Sequence, residues 1–181
     1  MIKKWETVSS EHLIDLKIFN AHKKKRINPV NNRIDDFVVL DSHNWVNIIP
    51  ITKKNKIVMI EQYRHGSDCV TLEIPGGLIE KDEEPRIAAE RECMEETGYS
   101  SNNEAILTGV SLPNPAFLNN KCYSYLWLDC ELKFEQNLDL NEVISVKEFS
   151  MDEILTFIDN GTINHSVILT AFLFYFRKFK I

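Results

Sequence analysis

No apolar segment of this chain is long enough to cross a membrane. The longest, Val167 to Phe176 broken only by Thr170, is about half the ~20 residues that a spanning helix requires. It is expected to form a buried helix near the end of the sequence. No apolar run of signal-peptide length follows Met1-Ile2-Lys3-Lys4-Trp5-Glu6. Positive charge is also short: 21 Lys and Arg stand against 27 Asp and Glu, a net −6. A protein whose chief partner is a nucleic-acid backbone normally presents a basic surface, so neither nucleic acid nor membrane is expected as a partner. Cys69, Cys93, Cys122 and Cys130 form no C-x-x-C pair, and they are expected to be reduced core thiols in a cytoplasmic protein. There is no internal repeat and no low-complexity linker. With 44% hydrophobic and 27% charged residues over 181 positions, the composition is that of one globular domain, not a disordered, collagenous or coiled-coil chain. An anionic substrate would need positive charge supplied locally.

What is present falls into two textures. The first 35 residues are polar, with a basic run at His22 to Arg26 followed by Asn-Pro and Asn-Asn turn signals; such a run is expected to be solvated surface. From Phe37 short β-branched and aromatic runs begin: Phe37 to Leu40, Trp45 to Ile51, Lys56 to Tyr63, and Val70 to Ile74, the last stopped by Pro75-Gly76-Gly77. A helix is predicted next, with Pro85 in its first turn and Gly98 as its stop. Strands are predicted at Ala105 to Val110, Tyr123 to Leu132 and Val143 to Phe149, and helices at Met151 to Asp159 and Ser166 to Lys178. This order gives an α+β domain with helices packed on a mixed sheet.

The chemistry concentrates in Gly76 to Tyr99, GGLIEKDEEPRIAAERECMEETGY. At 100° per residue, Glu95 and Glu96 lie about 60° and 40° to either side of Glu92, so three carboxylates share one helical face. Like charges at these spacings cost helix stability. They become favourable when they share a hard divalent cation, which prefers oxygen ligands and, as Mg²⁺, commonly bridges to substrate phosphates. A bare E-x-x-E-E could equally be a solvated helix face. The surroundings weigh against that reading, because the stretch fits G-x5-E-x7-R-E-U-x-E-E-x-G-U through Gly77, Glu83, Arg91, Glu92, Cys93, Glu95, Glu96, Gly98 and Tyr99. Seven fixed identities make a chance match on the order of one in a million.

This pattern resembles the Nudix hydrolase signature, with Cys93 as a less usual apolar filler. The resemblance implies an α/β/α sandwich with a mixed sheet and a catalytic loop–helix–loop. It implies Mg²⁺ or Mn²⁺ held by Glu92, Glu95, Glu96 and the carbonyl of Gly76. Arg91 completes the catalytic set with these glutamates, and Arg91 and Glu83 orient the loop and the carboxylates. The activity implied is hydrolysis of a nucleoside diphosphate linked to another moiety, by attack of water on phosphorus. Bound cations would neutralise the anionic oxygens, lower the pKa of water and stabilise the leaving phosphate.

The likeness extends over roughly residues 45 to 175. Gln62-Tyr63-Arg64, Glu73-Ile74-Pro75-Gly76-Gly77, Pro115 placed 16 residues after Tyr99, and Gly161 to His165 are similar to ADP-ribose pyrophosphatases and related nucleotide-sugar hydrolases. Arg64, Pro115 and Phe117 are the substrate-binding candidates; Arg64 could instead pair with Glu73 or Glu80. For ADP-ribose the products would be AMP and ribose 5-phosphate. GDP-mannose or a dinucleotide are alternatives, as is a catalytically silent nucleotide-binding module. One departure stands out: no Asp or Glu occurs from Ala105 through Leu128, where such enzymes often carry a catalytic glutamate. Asn119 and Asn120 could position a water but could not take its proton. Glu96 or Glu142 is left as the base, and Lys121 is a candidate phosphate contact. By analogy, residues 1–45 form a β extension that builds a homodimer, with residues 46–181 as the hydrolase domain.

Overall fold

The polar N-terminal segment forms three antiparallel strands in the computed structural model, which describes residues 1–179. They are β1 (Glu6–Asp15), β2 (Phe19–Ile27) and β3 (Ile34–Ser42), ordered β1-β2-β3. The His22 to Arg26 run lies along β2 and is matched by acids on both neighbours. Lys23 pairs with Glu11 at 2.6 Å and His22 with Asp41 at 3.0 Å, and Lys25 and Arg26 register opposite Asp36 and Asp35. All ten residues of β1 are exposed, so cross-strand charge pairing, not an apolar face, marks this strand. Residues 112–121 fold back onto this unit. The Leu40 amide donates to the Phe117 carbonyl at 2.8 Å, and Asn119 Oδ1 accepts from the Ser42 amide at 3.2 Å. The Asn120 side-chain amide donates to the His43 carbonyl. Asn119 and Asn120, read from sequence as possible water-positioning groups, are therefore ties that fasten this loop to β3.

The second unit comprises residues 44–111 and the chain from 122 onward. It contains β4 (Trp45–Thr52), β5 (Ile57–Arg64), β6 (Cys69–Glu73), β7 (Gly76–Leu78), α1 (Pro85–Thr97), β8 (Tyr99–Ser100), β9 (Ile106–Ser111), β10 (Cys122–Leu132), β11 (Ile144–Phe149), α2 (Met151–Asp159) and α3 (Ser166–Phe179). Its sheet runs β11-β5-β4-β10-β8, with β6 on β5, β7 on β4 and β9 on β10. The β4–β10 pair is parallel and the others are antiparallel. Alternation along the buried β4 sends Val46 and Ile48 into a cluster with Ala88, Ala89 and Cys93 of α1. It sends Ile49 and Ile51 into a cluster with Ile154 of α2 and Ile168, Ala171 and Phe172 of α3. Helices therefore cover both faces of a mixed sheet, an α/β/α sandwich of the α+β class.

Local chemistry explains the helix ends. Ser150 and Glu153 form a reciprocal capping box at the start of α2. Gly98 takes φ +73° to close α1, its N–H donating to the Met94 carbonyl, a conformation that penalises any side chain bearing a Cβ. The apolar run from Val167 to Phe176 lies within α3, where Phe172 is fully buried and stabilises the fold by about 1.5–3 kcal/mol. No helix among the described residues is long and apolar enough to cross a membrane. Cys93, Cys122 and Cys130 are buried free thiols, as expected, whereas Cys69 is exposed at the start of β6.

One feature of the sheet creates the space for a site. The β4–β5 pairing is confined to Ile51 opposite Ile57, beside the turn that joins the strands. Beyond it the strands part, β4 taking β7 as its neighbour and β5 taking β6. Trp45, Val46 and Asn47 of β4 and Gln62 and Arg64 of β5 thus line a single cleft.

Candidate active site

The cleft has a volume of about 570 Å³, and α1 brings its acidic face to it through Glu92, Glu95 and Glu96. Ala88 and Ala89, fully buried one to two turns earlier, seat this helix close to the sheet. Close approach is also required at β7: a Cβ on Gly77 would come within about 2.5 Å of the Glu92 carboxylate. Glu96 is only 3% exposed, and its Oε2 accepts one hydrogen bond, from the Gly76 amide at 2.8 Å. Burial pushes its pKa up to about 8, with the charges of Glu92 and Glu142 adding to the effect. Burial likewise raises Glu92 to about 7, against the opposing pull of Arg91.

Arg91 organises the rest of this helix face. Its Nε and Nη2 donate to the two oxygens of Glu83 at 2.9 and 3.0 Å, and Nη2 also reaches the Leu78 carbonyl. Its Nη1 donates to Glu92 at 2.9 Å and to Glu95 at 2.8 Å. Glu83 in turn accepts from the Glu80 amide, which locks the loop before α1. Arg91 thereby bridges carboxylates that would otherwise repel one another. Among the described residues no three acidic, His or Cys side chains converge into a ready-made metal cage. The donor chemistry nevertheless fits a hard divalent cation: oxygen ligands only, with Glu96 buried on a single backbone N–H and Glu92 raised by desolvation despite its bond to Arg91.

A second polar cluster stands in the same cleft with the opposite electrostatics. Glu73, 1% exposed, accepts from Arg64 Nε and Nη2 at 2.8 and 2.7 Å and from the Thr71 hydroxyl at 2.6 Å. His165 Nδ1, just before α3, lies 3.1 Å from Glu73 Oε2 but out of line for a hydrogen bond. Although burial opposes ionisation, Arg64, His165 and Thr71 together hold the Glu73 carboxyl far below the usual carboxylate range. Of the two partners open to Arg64 on sequence, the structure selects Glu73. The arginine is 40% exposed at its side chain and remains on the cleft wall.

The segment 133–143 completes the rim. Gln136 Nε2 donates to the Glu96 carbonyl at 2.6 Å and the Asn137 amide to the Glu95 carbonyl at 2.9 Å, satisfying acceptors that the end of α1 leaves open. This anchoring brings Asn137, Asp139 and Glu142 to the cleft. Glu142 and Asp139 brace each other, Glu142 N–H donating to the Asp139 carbonyl and Asp139 N–H to Glu142 Oε2. Of the sequence-derived candidates, Arg64, Gly76, Arg91, Glu92, Glu95 and Glu96 are brought together here. Pro115 and Phe117 are exposed residues of the first unit and are not among those lining this cleft. Sequence reading did not single out Asn47, Gln62, His165 or Asp139 as site residues. Period-two alternation from Arg64 offers one signal, for Gln62.

Comparison with known proteins agrees with this geometry. The NUDIX domain family matches residues 41–172. A methanol dehydrogenase activator of Bacillus methanolicus is 36% identical over 70% of this chain and 68% of its own length. An ADP-ribose pyrophosphatase of Bacillus subtilis is 26% identical over 86% of this chain and 83% of its own. A crystal structure of an ADP compounds hydrolase superposes with a TM-score of 0.86 at 17% identity, over 99% of this chain and 96% of that one, and so shares its fold. The chain belongs to the Nudix family and is a Nudix hydrolase.

Proposed function

We propose that this Nudix hydrolase is a divalent-metal-dependent pyrophosphohydrolase acting on a nucleoside diphosphate joined to another moiety. ADP-ribose, cleaved to AMP and ribose 5-phosphate, is the leading substrate. The observation that carries this reading is the buried Glu96, partnered only by a backbone N–H, beside Glu92 in the same cleft as Arg64. Such carboxylates suit a cation that in turn suits a diphosphate. The name of the Bacillus subtilis relative supports the choice of ADP-ribose.

Glu92, Glu95, Glu96 and the Gly76 carbonyl would hold Mg²⁺ or Mn²⁺, which supplies charge neutralisation at phosphate oxygens and activation of water. Arg91 positions the carboxylates by holding Glu92 and Glu95 from one side. Arg64, with Nε and Nη2 given to Glu73, keeps Nη1 for a substrate phosphate. Glu96 is deeply buried, which leaves it less open than Glu142 to an attacking water. Glu142, half-buried on the rim, is the better placed base. It takes a proton as the water oxygen bonds to phosphorus and the bridging P–O bond breaks. The N-terminal sheet as a homodimer-forming element and the cytoplasm as compartment belong to the same reading, and light scattering at micromolar concentration tests the dimer.

The deciding experiment is turnover of ADP-ribose, GDP-mannose, NADH and diadenosine polyphosphates, coupled to alkaline phosphatase, with Mg²⁺, Mn²⁺ or EDTA. NADH earns its place because one relative is named as the activator of a dehydrogenase. Preferred, EDTA-sensitive cleavage of ADP-ribose is expected. Preference for another compound discards ADP-ribose and keeps the chemistry. Tight nucleotide binding with no turnover of any compound would make a silent module the leading reading.

A further inference from the structure

Glu142, the proposed base, stands on residues 137–143, a stretch with little apolar anchorage. Leu132 and Phe134 before it, and Leu140 and Val143 within it, are all exposed. Segments with few buried contacts open readily unless hydrogen bonds hold them. Within the stretch the Glu142 carboxylate is fixed: Oε2 accepts from the Asp139 amide at 3.1 Å, and the Glu142 amide donates to the Asp139 carbonyl at 2.9 Å. What places the stretch as a whole must therefore lie at its two ends.

The entry is tied to the helix. Lys133 and Phe134 amides donate to the Gly98 carbonyl, and the Asn137 amide to that of Glu95. The exit is tied to the sheet, where the buried Ile144 opens β11 and registers opposite Gln62 of β5. Gln136 joins these two anchors. Its Nε2 donates to the Glu96 carbonyl at 2.6 Å and, in a longer contact, to the Ile144 carbonyl at 3.4 Å. An amide nitrogen carries two protons and can serve two acceptors at once. Because both partners are carbonyls, the nitrogen and not the oxygen of the Gln136 amide must face them. The bond to Ile144 closes the neck of the stretch, and the bond to Glu96 docks that neck on the last turn of α1.

We propose that Gln136 is a positioning residue for hydrolysis, clamping the neck of residues 137–143 to α1 and so setting the reach of Glu142 toward the α1 carboxylates. Gln136 does not itself line the cleft, so its effect on the reaction runs through Glu142. This rests on the reading of Glu142 as the base. Small displacements of a reacting group are costly: about 1 Å can lower a rate on the order of 10²-fold.

The test combines kinetics with amide hydrogen exchange. The variants are Gln136→Met, which keeps the reach and removes both N–H groups, and Gln136→Glu, which sets a carboxylate against two carbonyls. Each is made alone and together with Glu142→Gln. In Mg²⁺, with the best substrate of the nucleotide panel, Gln136→Met is expected to lower kcat about 10-fold and to leave KM nearly unchanged. Gln136→Glu should lower kcat further. Exchange should speed up in residues 137–143 and stay as it was in α1. Added to Glu142→Gln, neither change should cost further kcat, because the group that Gln136 positions is already gone. Unchanged exchange in both single variants overturns the clamp, and faster exchange with unchanged kcat overturns its part in the reaction. A full additional loss in the double variants also overturns it, since Gln136 would then act elsewhere, while Glu142 would stand as base. Wild-type kcat in Glu142→Gln alone discards that base and the positioning role with it. If the wild type turns over no compound, the hydrolase reading and the positioning role fall together.

Discussion

Glu73 and Glu96 are buried to nearly the same degree in one cleft, yet their acidities move in opposite directions. Glu73 is surrounded by Arg64, Thr71 and His165 and stays ionised far below the ordinary carboxylate range. Glu96 has one backbone N–H for company and is pushed up to about 8. Burial alone therefore does not assign a carboxylate its role; what compensates it does. A carboxylate neutralised from within the fold is part of the scaffold. One left short of positive charge is the stronger candidate for a cation from outside.

The sharpest way to break this contrast is Glu96→Gln. Turnover is expected to fall on the order of 10³-fold, since the proposed metal ligand is removed where charge develops. The same variant should melt no lower than wild type, and Mg²⁺ should raise the melting temperature of wild type far more than that of the variant. Near-wild-type turnover would remove Glu96 from the site. Glu142→Gln should follow with a loss of about 10²-fold in kcat and little change in KM, the usual range for a general base. A change in KM alone would make Glu142 a binding residue.

Glu73→Gln tests the other half of the comparison. It strips the main counter-charge from Arg64, which is open enough to reach solvent, and should destabilise by about 2 kcal/mol, read as a lower melting temperature. The pH dependence has a definite sign. Because folding depresses the Glu73 pKa, its contribution is complete above the ordinary value of 4.5 and fades as pH falls below it. The difference between wild type and Glu73→Gln should therefore shrink on acidification below about 4.5; a difference that widens there would contradict the paired state of Glu73. Smallest of all, Lys23→Ala on β2 should leave the melting temperature and turnover unchanged, because its pair with Glu11 is solvated. A clear loss in either measurement would give the charge ladder on the N-terminal sheet a larger part than its exposure indicates.

What could be read from the residues follows from how local each signal is. Helix α2 was legible to the residue, since Asn160-Gly161 stops it within a turn of its end. The α1 carboxylates were legible because helical periodicity alone puts them on one face. The Glu73 network was not: it joins β5, β6 and the start of α3, and Arg64 had two acids to choose from until the β5–β6 register placed it near Glu73. Strands β1 and β2 show little apolar alternation and were expected only from resemblance to relatives, whereas Phe37 to Leu40 of β3 reads as β from its own residues. The missing acid after Pro115 looked like a gap in the chemistry. In the fold, segment 133–143 carries Asp139 and Glu142 into the cleft instead, along a path that no spacing in the sequence reveals.

The tie between that segment and α1 has a mechanical consequence. Gln136 and Asn137 hang from the carbonyls of Glu96 and Glu95, the same two residues whose side chains face the cleft. Rim and helix thus share one frame of reference. A displacement of α1 would carry Gln136 and Asn137 with it, so that the rim bearing Glu142 would follow the carboxylates.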